Sequence, residues 1–322
     1  MLALLRKFRR AIRPTRTRPS AVYVTRINGH LGVKGSLVRV SPAGDFSQSM
    51  IDHRGKLIAF WGSIPGVEEK HIWISDIGSG TCWQATSQVG VHGHPYWWPD
   101  GRSVVYFSTF GASDSAEWSA ERQFSANRPA TNLFRLDIEH GERVRLTEGP
   151  WVDERPAVSP QGDVIAFVSN RSGSMNLWTL DVKSTALMQV TTGPGPDYRP
   201  VFSPAGDRIA YFTKVLDGSH QLVVATWPEM EVIPVEAMEG FAWAHGPIWC
   251  NTSDAILFHA LRRGESTASI WLLDLQSDRV QRVSIPGVKS CSHGSLDAAD
   301  AAMAFDTRQF LRTATPQVVA SR

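Results

Sequence analysis

Apolar runs along this chain are short, and clusters of Gly, Pro, Asn and Asp separate them. That is the pattern of strands joined by tight turns. The clearest unit starts at Asp153. Val158-Ser159-Pro160 ends one strand, and Gln161-Gly162-Asp163 supplies the turn that Gly and Asp favour. Val164 to Ser169 reads as a second strand, Asn176 to Val182 as a third and Met188 to Thr191 as a fourth. Four short antiparallel strands so spaced make one propeller blade.

The unit recurs. Arg155-Pro-Ala-Val-Ser-Pro-Gln-Gly-Asp returns as Arg199-Pro-Val-Phe-Ser-Pro-Ala-Gly-Asp, and His94 opens a third copy, His-Pro-Tyr-Trp-Trp-Pro-Asp-Gly-Arg. Self-similarity at blade-like spacing, carried by strands, predicts a propeller. The same grammar starts blades near Gln48, His92, Asp197 and His245, and a sixth at Cys291-Ser292-His293, which continues into Ala302 to Asp306. Strands at Ala21 to Arg26 and Ser36 to Val40 have no unit of their own. Pairing them with the C-terminal strands closes the ring and removes an exposed edge. The expectation is an all-β fold, a six-bladed β-propeller of four-stranded antiparallel blades closed by its N- and C-terminal strands, with seven blades as the rival count. Residues 1–20 read as a basic, disordered tail and residues 21–322 as a single propeller domain.

The chain has 322 residues and a formal net charge of +2. Its basic excess sits in the tail, at Arg6, Lys7, Arg9, Arg10, Arg13, Arg16 and Arg18. A propeller without a concentrated basic field is not expected to bind nucleic acid. The apolar stretch Met1 to Leu5 precedes the charge, the reverse of a secretion signal. No segment approaches the ~20 apolar residues of a membrane span. Cys82, Cys250 and Cys291 show no metal-type spacing and no disulfide framework. These features together read as a cytoplasmic protein.

The first residue of each inner strand looks into the central channel of a propeller. Aligning the six units puts Gln48, His94, Arg155, Arg199, Gly246 (with His245 beside it) and His293 there. His92 lies two residues before His94 and points to the same side, because strand side chains alternate. Imidazoles with an amide oxygen can hold a divalent metal. Arg155 and Arg199 can grip a carboxylate or phosphate in bidentate fashion. The alternative is a polar, water-filled channel whose histidines satisfy loop carbonyls. A long insertion, Gly111 to Thr131, carries Trp118, Glu121, Arg122 and Phe124 and would overhang the same mouth as a lid, or else form a surface excursion. His30, His53, His71, His140 and His220 read as surface residues, and Asp181 and Asp274 as caps of loops. No nucleophile elbow, phosphate loop or dinucleotide fingerprint occurs.

The units from Arg155 and Arg199 resemble the TolB-type propeller repeat, over about Gln48 to Asp306. A narrower resemblance is to oligogalacturonate lyases. His92-Gly93-His94-Pro95 and Cys291-Ser292-His293 look like that family's His-x-His-Pro and Cys-Ser-His motifs, and Ala244-His245 resembles a third metal-site histidine. The family's metal-site glutamine would be Gln48 or Gln88, and its catalytic arginine Arg155 or Arg199. This resemblance implies a divalent ion, manganese-like, held by His92, His94, His245, His293 and Gln48. It also implies β-elimination on a uronic-acid-containing oligosaccharide or other carboxylated small molecule, with Arg155, Arg199 or His245 in catalytic roles. The TolB-type resemblance implies instead a non-catalytic module that captures a protein or peptide partner in its channel.

Overall fold

The computed structural model describes residues 19–27, 37–111, 129–193, 195–215, 218–297, 299–310 and 317–318. The tail residues 1–18, His30 and the insertion residues Trp118, Glu121, Arg122 and Phe124 lie outside them.

Six sheets, each built on an antiparallel four-stranded core, form a ring, and the blade count is six. Two N-terminal strands, β1 (Ala21–Arg26) and β2 (Val38–Arg39), come first in the chain. Blade 1 is β3 to β6 (Asp45–Ile51, Leu57–Ser63, His71–Asp76, Cys82–Gln84). Blade 2 is β7 to β10 (His92–Trp97, Ser103–Ser108, Asn132–Asp137, Arg143–Arg145). Blade 3 is β11 to β14 (Asp153–Val158, Val164–Ser169, Asn176–Asp181, Leu187–Gln189). Blade 4 is β15 to β18 (Asp197–Phe202, Arg208–Lys214, His220–Thr226, Val232–Ile233). Blade 5 is β19 to β22 (Phe241–Trp249, Ala255–Arg262, Ser269–Asp274, Arg279–Arg282). Each of these five blades runs in sequence order from the channel outward.

Blade 6 draws on both ends of the chain. Its inner strands are β23 (Val288–Leu296) and β24 (Ala302–Phe310), and β1 pairs antiparallel with β24 from Ala21 opposite Thr307 to Arg26 opposite Ala302. β2 follows, and β25 (Gln317–Val318) adds a parallel fifth strand. The expected closure is therefore the observed one. Every blade gains a neighbour on each side.

The repeat is held by a shared turn. Ser159 Oγ donates to Asp163 Oδ1 at 2.6 Å, and Ser203 Oγ does the same for Asp207 Oδ1 at 2.8 Å. Gly162 and Gly206 take φ of 76° and 79° between these partners, the left-handed region open to glycine. At the outer turns, Asp181 Oδ1 accepts the N–H groups of Lys183 and Ser184, and Asp274 Oδ1 accepts those of Gln276 and Ser277. These carboxylates cap loops, as their spacing implied. The core between blades is aromatic and aliphatic, with Phe46, Phe60, Tyr106, Phe167, Phe212, Phe258 and Phe305 fully buried.

Candidate functional site

Every inner strand breaks its register at the same place. The pairing skips between Ser47 and Met50, Gly93 and Tyr96, Glu154 and Ala157, Tyr198 and Val201, His245 and Ile248, and Ser292 and Ser295. Two residues there face one on the second strand, which is a β-bulge. The first bulged residue is Gln48, His94, Arg155, Arg199, Gly246 or His293, with φ of 55°, 52°, 55°, 49°, 69° and 51°. Five of the six are not glycine. Such a conformation costs each of them on the order of 1 kcal/mol or more and concentrates at functional sites. Its effect is to turn each side chain out of the sheet and into the channel, and all six residues line the neck.

Three imidazoles meet at one mouth of this neck. His245 in β19 pairs across the sheet with His259 in β20, and His293 comes from the neighbouring blade. One nitrogen from each lies within 4.8 Å of the others. His293 Nδ1 donates to Asp306 Oδ1 at 2.8 Å, which fixes the tautomer and leaves Nε2 with its lone pair. Asp306 Oδ1 also accepts the Gln48 N–H at 3.0 Å, and Oδ2 accepts the Ser292 hydroxyl at 2.8 Å. One buried carboxylate thus ties blade 6 to blade 1 and orients the imidazole.

The electrostatics keep the three rings neutral. Burial, reinforced by Arg199 and the other two imidazoles, holds His245 well below the ordinary histidine value. His259 falls to about 3, from burial and then His293. Burial also lowers His293, although Asp306 opposes it. Burial raises Asp306, but the charge and hydrogen bond of His293 outweigh it, and its carboxyl sits below the usual range.

Two guanidiniums complete the mouth. Arg155 Nε donates to Glu154 Oε1 at 3.4 Å. Arg199 is lowered to about 9, by burial and then by Arg155. Its buried Nε has no hydrogen-bond partner among the described residues.

The residues expected from sequence divide into two sets. Gln48, His94, Arg155, Arg199 and His293 line the neck together, with His245 next to the glycine of the ring. His92 faces elsewhere: its Nε2 donates to the Gln88 carbonyl at 2.8 Å and its ring stacks on His71 at 5.4 Å. His94 packs edge-on against Trp61 and Phe107 at 5.4 and 5.0 Å and is not a member of the three-histidine cluster. His71 is buried rather than exposed, and half-buried His220 donates through Nδ1 to the Ala244 carbonyl at 2.8 Å.

Two residues of the site escaped the sequence reading, His259 and Asp306. Both sit on second strands, opposite the residue that precedes the bulge. The equivalent positions in blades 1 to 4 are Trp61, Phe107, Val168 and Phe212. Each of the six follows a buried aromatic, namely Phe60, Tyr106, Phe167, Tyr211, Phe258 or Phe305. An apolar position turned polar in two adjacent blades is the signal that second-strand alignment reveals.

The donor set fits a divalent cation. Nδ1 of His245 and of His259 is buried without a hydrogen-bond partner, a costly state for a polar atom unless something else satisfies it. Neutral imidazoles with a carboxylate behind one of them are what such an ion requires. Nitrogens on a four-coordinate ion stand about 3.4 Å apart, from metal–nitrogen bonds of 2.0–2.1 Å, so modest ring movements close the site.

Solved structures share this architecture. TolB from Acinetobacter baumannii superposes with a TM-score of 0.59 at 14% identity, over 91% of this chain and 64% of that one. An Agrobacterium tumefaciens protein assigned as a TolB gives 0.69 at 14% identity, over 92% of this chain and 99% of that one. The fold is the propeller fold of these TolB structures. An oligogalacturonate lyase in complex with manganese gives 0.55 at 14% identity, over 85% of this chain and 75% of that one. No family model matches the sequence, and no curated protein matches it.

Proposed function

We propose that the protein is a divalent-metal-dependent carbon–oxygen lyase acting on a uronic-acid-containing oligosaccharide at this mouth. The observation that carries the reading is the convergence of His245, His259 and His293 beside Arg155 and Arg199. The likeness to a manganese-bound oligogalacturonate lyase supports it. His245, His259 and His293 would hold the ion, with Asp306 orienting His293. The ion, when bound, supplies Lewis-acid stabilisation of charge on the substrate carboxylate.

The chain's own groups do the rest. Arg155 presents a charged fork suited to a planar carboxylate. Neutralising that group acidifies the neighbouring C–H. A base takes this proton, the electron pair forms a carbon–carbon double bond, and the linked sugar leaves with the electron pair of the broken carbon–oxygen bond and takes up a proton from water. His245 is committed to the cluster, so the base falls to Arg199, whose buried guanidinium is lowered to about 9. That value leaves a far larger neutral fraction than an exposed arginine has. Elimination leaves an unsaturated uronate that absorbs in the ultraviolet. Metal analysis of the purified protein, followed by absorbance on a panel of uronic-acid oligomers, tests the proposal. Absence of bound manganese or zinc together with absence of turnover would overturn it.

A second reading has its own observation. Past the neck, the channel opens at its other end into a cavity of about 420 Å³ lined by Tyr96, Trp97, Trp98, Phe202 and Trp249 among others. An apolar funnel suits a non-catalytic module that holds a protein or peptide segment, the role implied by the TolB-type likeness. Stoichiometric capture of one partner by metal-free protein, lost in Trp249→Ala and kept in His259→Phe, would favour it.

A further inference from the structure

The six bulges share one backbone conformation, yet one of them carries no side chain into the neck. Gly246 interrupts the ring between Arg199 of blade 4 and His293 of blade 6, and it directly follows His245. A Cβ at this point would meet Arg199 Nη1 at 3.5 Å and Arg199 Cδ at 3.6 Å, ordinary contact distances. Packing therefore tolerates a Cβ. The backbone does not forbid one either, because Gln48, His94, Arg155, Arg199 and His293 take φ of 49–55° where Gly246 takes 69°. The other five blades show that the bulge itself accepts amide, imidazole and guanidinium side chains. What glycine does here is keep a blade 5 side chain out of the neck beside Arg199.

We infer that Gly246 is the specificity-determining residue of the mouth, the position that admits the carboxylated sugar between Arg199 and the His245–His259–His293 cluster. The inference rests on the proposed reading in which the cluster holds a metal, Arg155 binds the carboxylate of the sugar and Arg199 is the base. It follows from where the gap lies. A side chain at blade 1, 2 or 3 would leave Arg199 and the imidazoles in mutual view, whereas one at blade 5 stands between them. Arg199 Nε, on the side chain that packs beside Gly246, is buried without a hydrogen-bond partner among the described residues and so has unmet capacity to donate to a ligand. A small side chain should narrow this gap and a long one should fill it.

The test compares wild type with Gly246→Ala and Gly246→Gln, the second copying the residue that blade 1 carries in its bulge. Manganese content is measured after dialysis, and D-galacturonate binding is followed by calorimetry with and without manganese. Folding is followed by near-ultraviolet circular dichroism. The expected result is native spectra and unchanged manganese content in both variants. Galacturonate should bind roughly tenfold more weakly to the alanine variant, with no measurable binding to the glutamine variant. If the glutamine variant fails to fold, the alanine variant decides alone. Wild-type affinity for galacturonate in a folded variant would overturn the inference and leave the lyase reading standing. Galacturonate binding that needs no manganese but is still lost in the variants would uphold the gap and remove the metal. A wild-type protein that binds neither would overturn both.

Discussion

Blades 1 to 4 and blades 5 and 6 are built on the same bulged inner strand, and they differ in what the second strand sets against it. In the first group that residue is Trp61, Phe107, Val168 or Phe212, and all four are buried. In the second it is His259 or Asp306, equally buried. The backbone is common, so the scaffold does not demand polarity at either position. Burying an imidazole or a carboxylate costs free energy that an apolar residue would not. Blades 5 and 6 accept that cost side by side, where their two polar positions reach one another through His293. A repeat thus supplies six equivalent positions, and chemistry enters where two adjacent ones abandon the hydrophobic rule.

The largest effect should come from breaking the polar side of this comparison. Asp306→Ala leaves His293 Nδ1, the Gln48 N–H and the Ser292 hydroxyl without their shared acceptor in the blade that closes the ring. Leaving a buried donor without its acceptor costs about 1–3 kcal/mol, and three donors lose theirs here. Urea unfolding should show that loss. Asp306→Asn keeps the shape, should cost less, and should weaken divalent-metal affinity by roughly 10–100-fold. Wild-type stability in the alanine variant would mean that the carboxylate is not a structural anchor.

Next in size is the conversion of blade 5 into the blade 4 pattern. His259→Phe copies Phe212, and since the imidazole is unprotonated and partly orphaned in the fold, stability should change by no more than about 1–2 kcal/mol. Metal uptake should fall by more than the factor carried by outer partners. Retention of full manganese content, read by elemental analysis, would remove His259 from the site.

How far such positions could be read from the sequence follows from where the repeat is strict. The bulge residues were legible because each opens a copy of the same motif, as Arg155 and Arg199 do before Pro, and the alignment then carried Gln48, His94, Gly246 and His293 into register. The clasp was legible because Ala21 to Arg26 had no partner in its own unit. His259 and Asp306 were not, because an apolar second strand signals only burial, and one polar residue within it reads as local noise. His92 misled for a related reason. It alternates correctly with His94, but the bulge at His94 breaks that alternation, so His92 turns between blades toward His71 and Gln88.

His92 also allows a titration that separates a buried structural imidazole from the candidate metal ligands. Burial lowers it to about 4, partly opposed by its bond to the Gln88 carbonyl. Its folded value thus lies below its unfolded value of about 6.5, so the unfolded chain binds the extra proton between the two. Stability should be full above about pH 6.5 and be lost as pH falls toward 4, at about 1.4 kcal/mol per pH unit per proton. Melting temperature recorded from pH 7 to pH 4 should decline less steeply in His92→Phe than in wild type. Parallel curves would assign the acid loss to other groups.

The smallest effect should follow from His94→Gln, which gives blade 2 the residue that blade 1 carries in its bulge. His94 lines the neck at the same φ as Gln48, within 3°, but packs against Trp61 and Phe107 instead of joining the imidazole cluster. A glutamine keeps a polar group in the neck and gives up only the edge-on ring contacts. Manganese content should stay at the wild-type level, in contrast to His259→Phe, while urea unfolding shifts modestly. Loss of the ion in this variant would extend the metal site across the channel to blade 2 and would erase the division between the two groups of blades.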